Sequence, residues 1–143
     1  MMGRSITEDE AIEAAWNVQL PTLRLDMPLS KSDTFKRLRA ERGDKAYTDM
    51  GVWLQLCSVA TSYKNHALPL DYSLLAQWLF GNQAKSTVAA GHVNALIAAG
   101  LAFIGTDGSL YFPAVETEFI RYGKMIVGGT RGGRPSGKKK RRR

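Results

Sequence analysis

Apolar residues recur at helical spacing in six stretches of the chain, and the breaks between them fall at Pro, Gly or capping residues. Thr7-Glu8-Asp9-Glu10 has the form of a capping box, with acids in the first turn where the helix dipole favours them. Ala11, Ile12, Ala15 and Trp16 continue that pattern until Pro21 stops it. Thr22 to Leu29 alternates polar and apolar and reads as extended. Ser32 or Asp33 then caps a helix through Arg42, with Phe35 and Leu38 inward and Gly43 ending it. Thr48 or Asp49 is expected to cap a longer helix to about Tyr63, whose stripe is Val52, Trp53, Leu56, Val59, Ala60 and Tyr63. A short extended piece, Ala67-Leu68-Pro69-Leu70, leads to a helix capped by Asp71 and closed by Gly81. Ser86 is expected to cap the next helix, which ends at Gly100 with Ala89, Val93, Leu96 and Ile97 on one face. Two β-like runs, Leu101–Thr106 and Ser109–Pro113, flank Asp107-Gly108, a strong hairpin signal. The last amphipathic piece runs from Ala114 to about Val127, before a Gly-rich stretch that should not fold.

The order helix, short strand, helix, turn, helix, hairpin over positions 48–113 is that of a winged helix-turn-helix. The expected class is therefore mainly α with a small β-hairpin. A helical arm occupies residues 1–30, the winged-helix domain with its flanking helices residues 31–127, and a disordered basic tail residues 128–143. The residues that carry this reading are Phe35-Lys36-Arg37-Leu38, Trp53-Leu54-Gln55-Leu56-Cys57, Leu68-Pro69-Leu70-Asp71, the Ala99-Gly100-Leu101 junction, and Asp107-Gly108 leading to Tyr111-Phe112-Pro113. Through them, and through the basic Gly132-Gly133-Arg134-Pro135 after the hairpin, positions 33–143 resemble winged-helix proteins encoded in phage and prophage replication or early-gene regions. These include the N-terminal domains of replication initiators. The resemblance implies binding of double-stranded DNA, in an accessory replication role or in transcription regulation.

Charge sharpens the picture. From Arg121 to Arg143 there are ten basic residues and no acid, which leaves ten basic and thirteen acidic residues in positions 1–120. The high isoelectric point belongs to the tail, and a cationic arm on a slightly acidic body suits a polyanion. Tail residues Arg131, Arg134, Lys138, Lys139, Lys140, Arg141, Arg142 and Arg143 are the expected phosphate contacts. Engaging roughly 6–10 phosphates would weaken binding about 10³–10⁵-fold between 50 and 200 mM salt. The basic outer face of the Asp33–Arg42 helix (Lys36, Arg37, Arg39, Arg42) reads more simply as a solvated surface. On the expected reading helix the outward positions are Thr87, Gly91, Asn94, Ala95 and Ala98. Base reading usually needs Arg, Lys, Asn or Gln, so the candidate contacts are Asn94 with Gln83, Lys85, Ser86 and Thr87 at the N-terminal end. The competing use of so bland a face is packing against a protein partner or a second copy.

Other chemistry is poorly supported. Gly132 to Lys138 fits G-x-x-x-x-G-K, but Lys139 stands where Ser or Thr should bind magnesium, so the match is accidental. His66 and His92 have no ligand spacing, and Cys57 is read as a small core residue. No metal, cofactor, catalytic constellation or small-molecule substrate is expected. The acidic tip at Asp107 suits support of the fold better than contact with a groove, and Tyr111 and Phe112 read as core. No stretch approaches the ~18–20 apolar residues of a membrane span. A lone cysteine and an acidic N-terminal region fit a reducing cytosol, the bacterial nucleoid in particular, or the nucleus of a eukaryotic host.

Overall fold

A computed structural model describes residues 6–24 and 32–132, with side chains to Gly129. The described residues are mainly helical, with one small antiparallel hairpin.

Local chemistry sets most of the helix ends. In α1 (Glu8–Ala15) the Thr7 hydroxyl accepts from the Glu10 amide at 3.1 Å, while the Glu10 carboxylate accepts from the Thr7 amide at 3.0 Å. Ser32 caps α2 (Asp33–Arg42) by accepting from the Phe35 amide at 3.2 Å, and Gly43 ends the helix at φ 61°. Asp71 caps α4 (Tyr72–Phe80) through the amides of Ser73 and Leu74, and Gly81 closes it.

Two expected caps lie elsewhere. Helix α3 (Lys45–Ala60) begins one turn before Thr48, and Asp49 is buried inside it rather than capping it. Helix α5 (Ser86–Ala98) follows a 3₁₀ turn at Gln83–Lys85, whose cap is the Asn82 side chain accepting from the Ala84 amide at 2.9 Å. Ser86 is therefore within the helical run and caps nothing.

The hairpin is shorter than its sequence pattern. Strand β1 (Phe103–Ile104) pairs with β2 (Leu110–Tyr111), Phe103 opposite Tyr111 and Ile104 opposite Leu110. Gly108 turns the chain at φ 81° and donates its amide to the Gly105 carbonyl at 3.0 Å. Leu68 joins the other edge of β2 through two bonds with Leu110, at 2.8 and 2.9 Å.

Helix α6 (Pro113–Gly132) passes through Gly128 and Gly129 instead of stopping near Val127. The body thus includes residues 128–132, which the sequence pattern had assigned to the tail. Within the N-terminal arm expected at 1–30, α1 packs along α6, and the buried Ala15 and Leu20 belong to the common core. That core gathers Val52, Trp53, Leu56 and Cys57 of α3 with Leu75, Val93, Leu96, Leu110, Phe112 and Phe119.

Two polar contacts secure the N-terminal segment. The Leu20 amide donates to the Thr61 carbonyl at 3.0 Å. Buried His66 sets Nε2 2.8 Å from the Ala15 carbonyl oxygen and Nδ1 3.2 Å from that of Ala60. A carbonyl only accepts, so each ring nitrogen bonds its carbonyl as a donor when it carries a proton. His66 is a structural tie between α1 and α3.

Candidate nucleic-acid interface

Helix α5 has a buried side and a free side. Ala89, Val93 and Leu96 are fully enclosed, as the 3.6-residue period requires. On the opposite side Gln83, Lys85, Thr87, Asn94 and Ala98 are exposed, while Ser86 and Ala95 are half-buried. The structure thus brings Gln83, Lys85 and Thr87 together at the N-terminal end of the helix. Asn94 follows about 10 Å further along its face, at a rise of about 1.5 Å per residue.

Gly91 lies between them on the exposed side, and a β-carbon built there meets nothing within 4 Å. The fold has no steric need for this glycine, although glycine inside a helix costs about 1 kcal/mol relative to alanine. Lys85 is the one cation from Gln83 to Ala98, and its ammonium lies 6.0 Å from the Phe80 ring centroid.

The roll of α5 is fixed by a polar network absent from the sequence reading. Asp49 of α3, with no exposed surface, accepts from His92 Nδ1 of α5 at 2.7 Å. The same carboxylate accepts from Arg42 Nε and Nη2 of α2 at 2.8 and 3.0 Å. Burial pushes the Asp49 carboxyl up, but the hydrogen bonds from Arg42 and His92 outweigh burial and hold it below its ordinary range. One carboxylate therefore ties three helices. The signal available in the sequence was an acid inside the apolar stripe of α3; its partners lie seven residues before and 43 residues after it.

Most of the basic face of α2 is engaged within the protein. Arg37 donates to the Ala99 carbonyl at the end of α5 at 3.0 Å, and the Arg39 guanidinium lies 5.1 Å from the centroid of the Tyr47 ring. With Arg42 on Asp49, Lys36 is the cation of that set without an assigned contact. At the hairpin tip the Tyr111 hydroxyl donates to Asp107 at 2.8 Å, and the Ser109 amide donates to the same carboxylate at 3.0 Å. These bonds hold Asp107 below the usual carboxylate range and keep the tip anionic. Tyr111, read as core, is half-buried and stacks on exposed Phe103.

Arg131 falls within α6, and Arg134 and Lys138 to Arg143 lie outside the described residues. Burial pushes the Cys57 thiol far up, which leaves it inert. Among the described residues no group of three or more His, Cys, Asp or Glu could hold a metal ion, and no helix is long and apolar enough to cross a membrane. Comparison with protein-family models, curated proteins and solved structures finds no match.

Proposed function

We propose that this chain is a winged-helix DNA-binding protein, with α4 and α5 as its helix-turn-helix and α5 as the reading helix. The observation that carries the reading is the one-sided anchoring of α5. Its inner side is clamped by apolar packing and by the Asp49–His92 bond, while its outer side presents Gln83, Lys85, Thr87 and Asn94. The β1–β2 hairpin follows this helix, and Leu68, ahead of α4, pairs on the second edge of β2. The order of bridge, helix, turn, helix and hairpin supports the winged-helix reading, with the hairpin as the wing.

Asn94 is the candidate for base reading, and Gln83, Lys85, Ser86 and Thr87 approach the phosphates and the edge of the groove. The open position at Gly91 lets the helix backbone come close to the duplex. Arg131, Arg134 and the run Lys138 to Arg143 supply non-specific phosphate affinity. The role proposed is an accessory one in phage or mobile-element replication, or regulation of transcription. The scarcity of cations on α5 supports one alternative, in which this face docks on a protein and the tail alone holds polyanion.

Fluorescence anisotropy with duplex DNA across a salt series, on the full chain and on residues 1–132, tests the proposal. The expected result is a steep salt slope for the full chain, and weaker but sequence-dependent binding by residues 1–132. Complete loss of binding with the tail would favour the alternative.

A further inference from the structure

His92 anchors α5 through only one of its ring nitrogens. Nδ1 donates to Asp49 at 2.7 Å. Nε2 meets no partner among the described residues, yet it is not one of their enclosed unpaired atoms, so it keeps accessible surface. The side chain as a whole is 14% exposed. A ring that donates from Nδ1 only accepts at Nε2 while it is neutral, and becomes a donor there when it takes a second proton. The ring stands on one flank of the exposed face of α5. Val88, one turn earlier on that flank, is 48% exposed. Lys85 falls seven residues before His92, which places it on the same side of the helical run. Both groups border Phe80, with the His92 ring centroid at 6.2 Å and the Lys85 ammonium at 6.0 Å from the centroid of that ring. The major groove is about 12 Å wide and a helix with its side chains about 10–12 Å across. The flanks of a helix seated in that groove therefore face its phosphate walls.

The charges around a neutral ring cancel. Arg42, at the end of α2, offsets Asp49 of α3 by bonding the same carboxylate. Glu41 borders the notch between α2 and Ala95 of α5. Asp44 and Lys45 open α3 just over one turn before Asp49. Lys85 is the cation ahead of α5, and α4 contains no charged residue. Three cations thus stand against three anions. A second proton on His92 adds one positive charge in excess, and it places a donor at the one ring atom that no group of the fold occupies.

We infer that His92 is a proton-dependent phosphate contact, donating its Nε2–H to a backbone oxygen of the DNA on the wall of the groove that α5 enters. Resting on the DNA-reading proposal, this contact adds regulation to it: the body binds DNA more tightly as pH falls, with one proton taken up. Histidine is the side chain whose charge changes between pH 5 and 8, whereas lysines and arginines such as those of the tail keep theirs. A hydrogen bond between charged partners is worth about tenfold or more in affinity. Anisotropy of the full chain with a duplex selected from a random library, at fixed ionic strength, should give a dissociation constant at least about fivefold lower at pH 6 than at pH 8. In His92→Asn, whose amide nitrogen stands where Nδ1 does but does not titrate, that ratio should fall to about one, with unfolding curves establishing that the variant is folded. An NMR titration of the parent's imidazoles needs no variant: the duplex should move the midpoint of His92 to higher pH and leave that of enclosed His66 in place. A pH-independent dissociation constant, a ratio that survives in folded His92→Asn, or a His92 midpoint unmoved by the duplex would overturn the phosphate contact. If the protein still discriminates the selected duplex from a scrambled one, the DNA-reading proposal survives any of those results; no discrimination at either pH sinks both.

Discussion

Substituting Gly123 by alanine should be far more damaging than its chemistry suggests. In α6 this glycine faces the backbone of α1, and a β-carbon built on it would lie 2.0 Å from the Ala11 carbonyl oxygen and 2.6 Å from the carbonyl carbon. Ordinary carbon contacts need about 3.5–4.0 Å, so the two helices must part by more than about 1 Å. A gap of that size forfeits roughly a quarter to a half of the dispersion energy along the seam. Ala11 and Ala15 are fully buried, and the Ala15 carbonyl holds His66, so separation also loosens that bond. Overpacking a tight site costs about 1–3 kcal/mol or more, and the gain in helix propensity offsets about 1 kcal/mol. A net loss of about 2 kcal/mol is expected, a large part of the ~5–15 kcal/mol of a small domain. Urea unfolding monitored by far-UV circular dichroism measures it. Gly129→Ala on the same helix, where the added carbon meets nothing within 4 Å, is the control and should stabilise by up to about 1 kcal/mol. Equal stability of the two variants would refute the packing argument.

Two further predictions use titration. Burial pushes the half-buried Glu116 carboxyl from 4.5 up to about 7, and its Oε2 meets no donor. The folded protein holds this proton more tightly than the unfolded chain, so the group's contribution falls as pH rises from about 4.5 to 7. Glu116→Gln should raise the urea midpoint at pH 8 by the equivalent of about 1–2 kcal/mol, discounted for the group's exposure, and change it little at pH 4.5; the same gain at both pH values would count against this. The sign is opposite for Asp49, whose lowered pKa stabilises the fold above the ordinary carboxylate range and stops doing so as pH falls through the folded value. Asp49→Ala should cost about 3 kcal/mol at pH 7, the lower end for a broken buried pair because the Arg42 side chain is 28% exposed, and a variant as stable as the parent would sink the account of α5's anchoring.

Features written in neighbouring residues were legible in the sequence. Thr7 with Glu10, Ser32 with Gly43, Asp71 with Gly81, and Asp107-Gly108 each act within a few residues of themselves, and each does so in the structure. Failures occurred where a distant partner overrode local preference. Asp49 has the chemistry of a cap, but Arg42 and His92 make it a buried tie. Gly123 weakens a helix locally, and its purpose is visible only where α1 crosses α6. Gly105 likewise stands where a β-carbon would lie 2.4 Å from the Tyr111 ring, a demand for glycine that exists only once the hairpin is folded. At the candidate interface the period of α5 placed Ala89, Val93 and Leu96 inward and Thr87, Gly91 and Asn94 outward, as the structure does, while Ile97 and Ala95, expected on opposite faces, are both half-buried. It could not reveal that Arg37, Arg39 and Arg42 have partners within the fold, because Ala99 and Tyr47 come beside α2 only through tertiary packing.

The most direct test of the account is a Gly91→Leu variant of the full chain, compared with the parent for binding to a duplex selected from a random library and to a scrambled duplex. The side chain enters open space on the exposed face of α5, so folding should be unaffected, as unfolding curves would show. If α5 reads DNA, the ratio of the two dissociation constants should collapse at least tenfold toward unity, while tail-driven affinity for the scrambled duplex persists. An unchanged ratio in a folded variant would contradict the central claim.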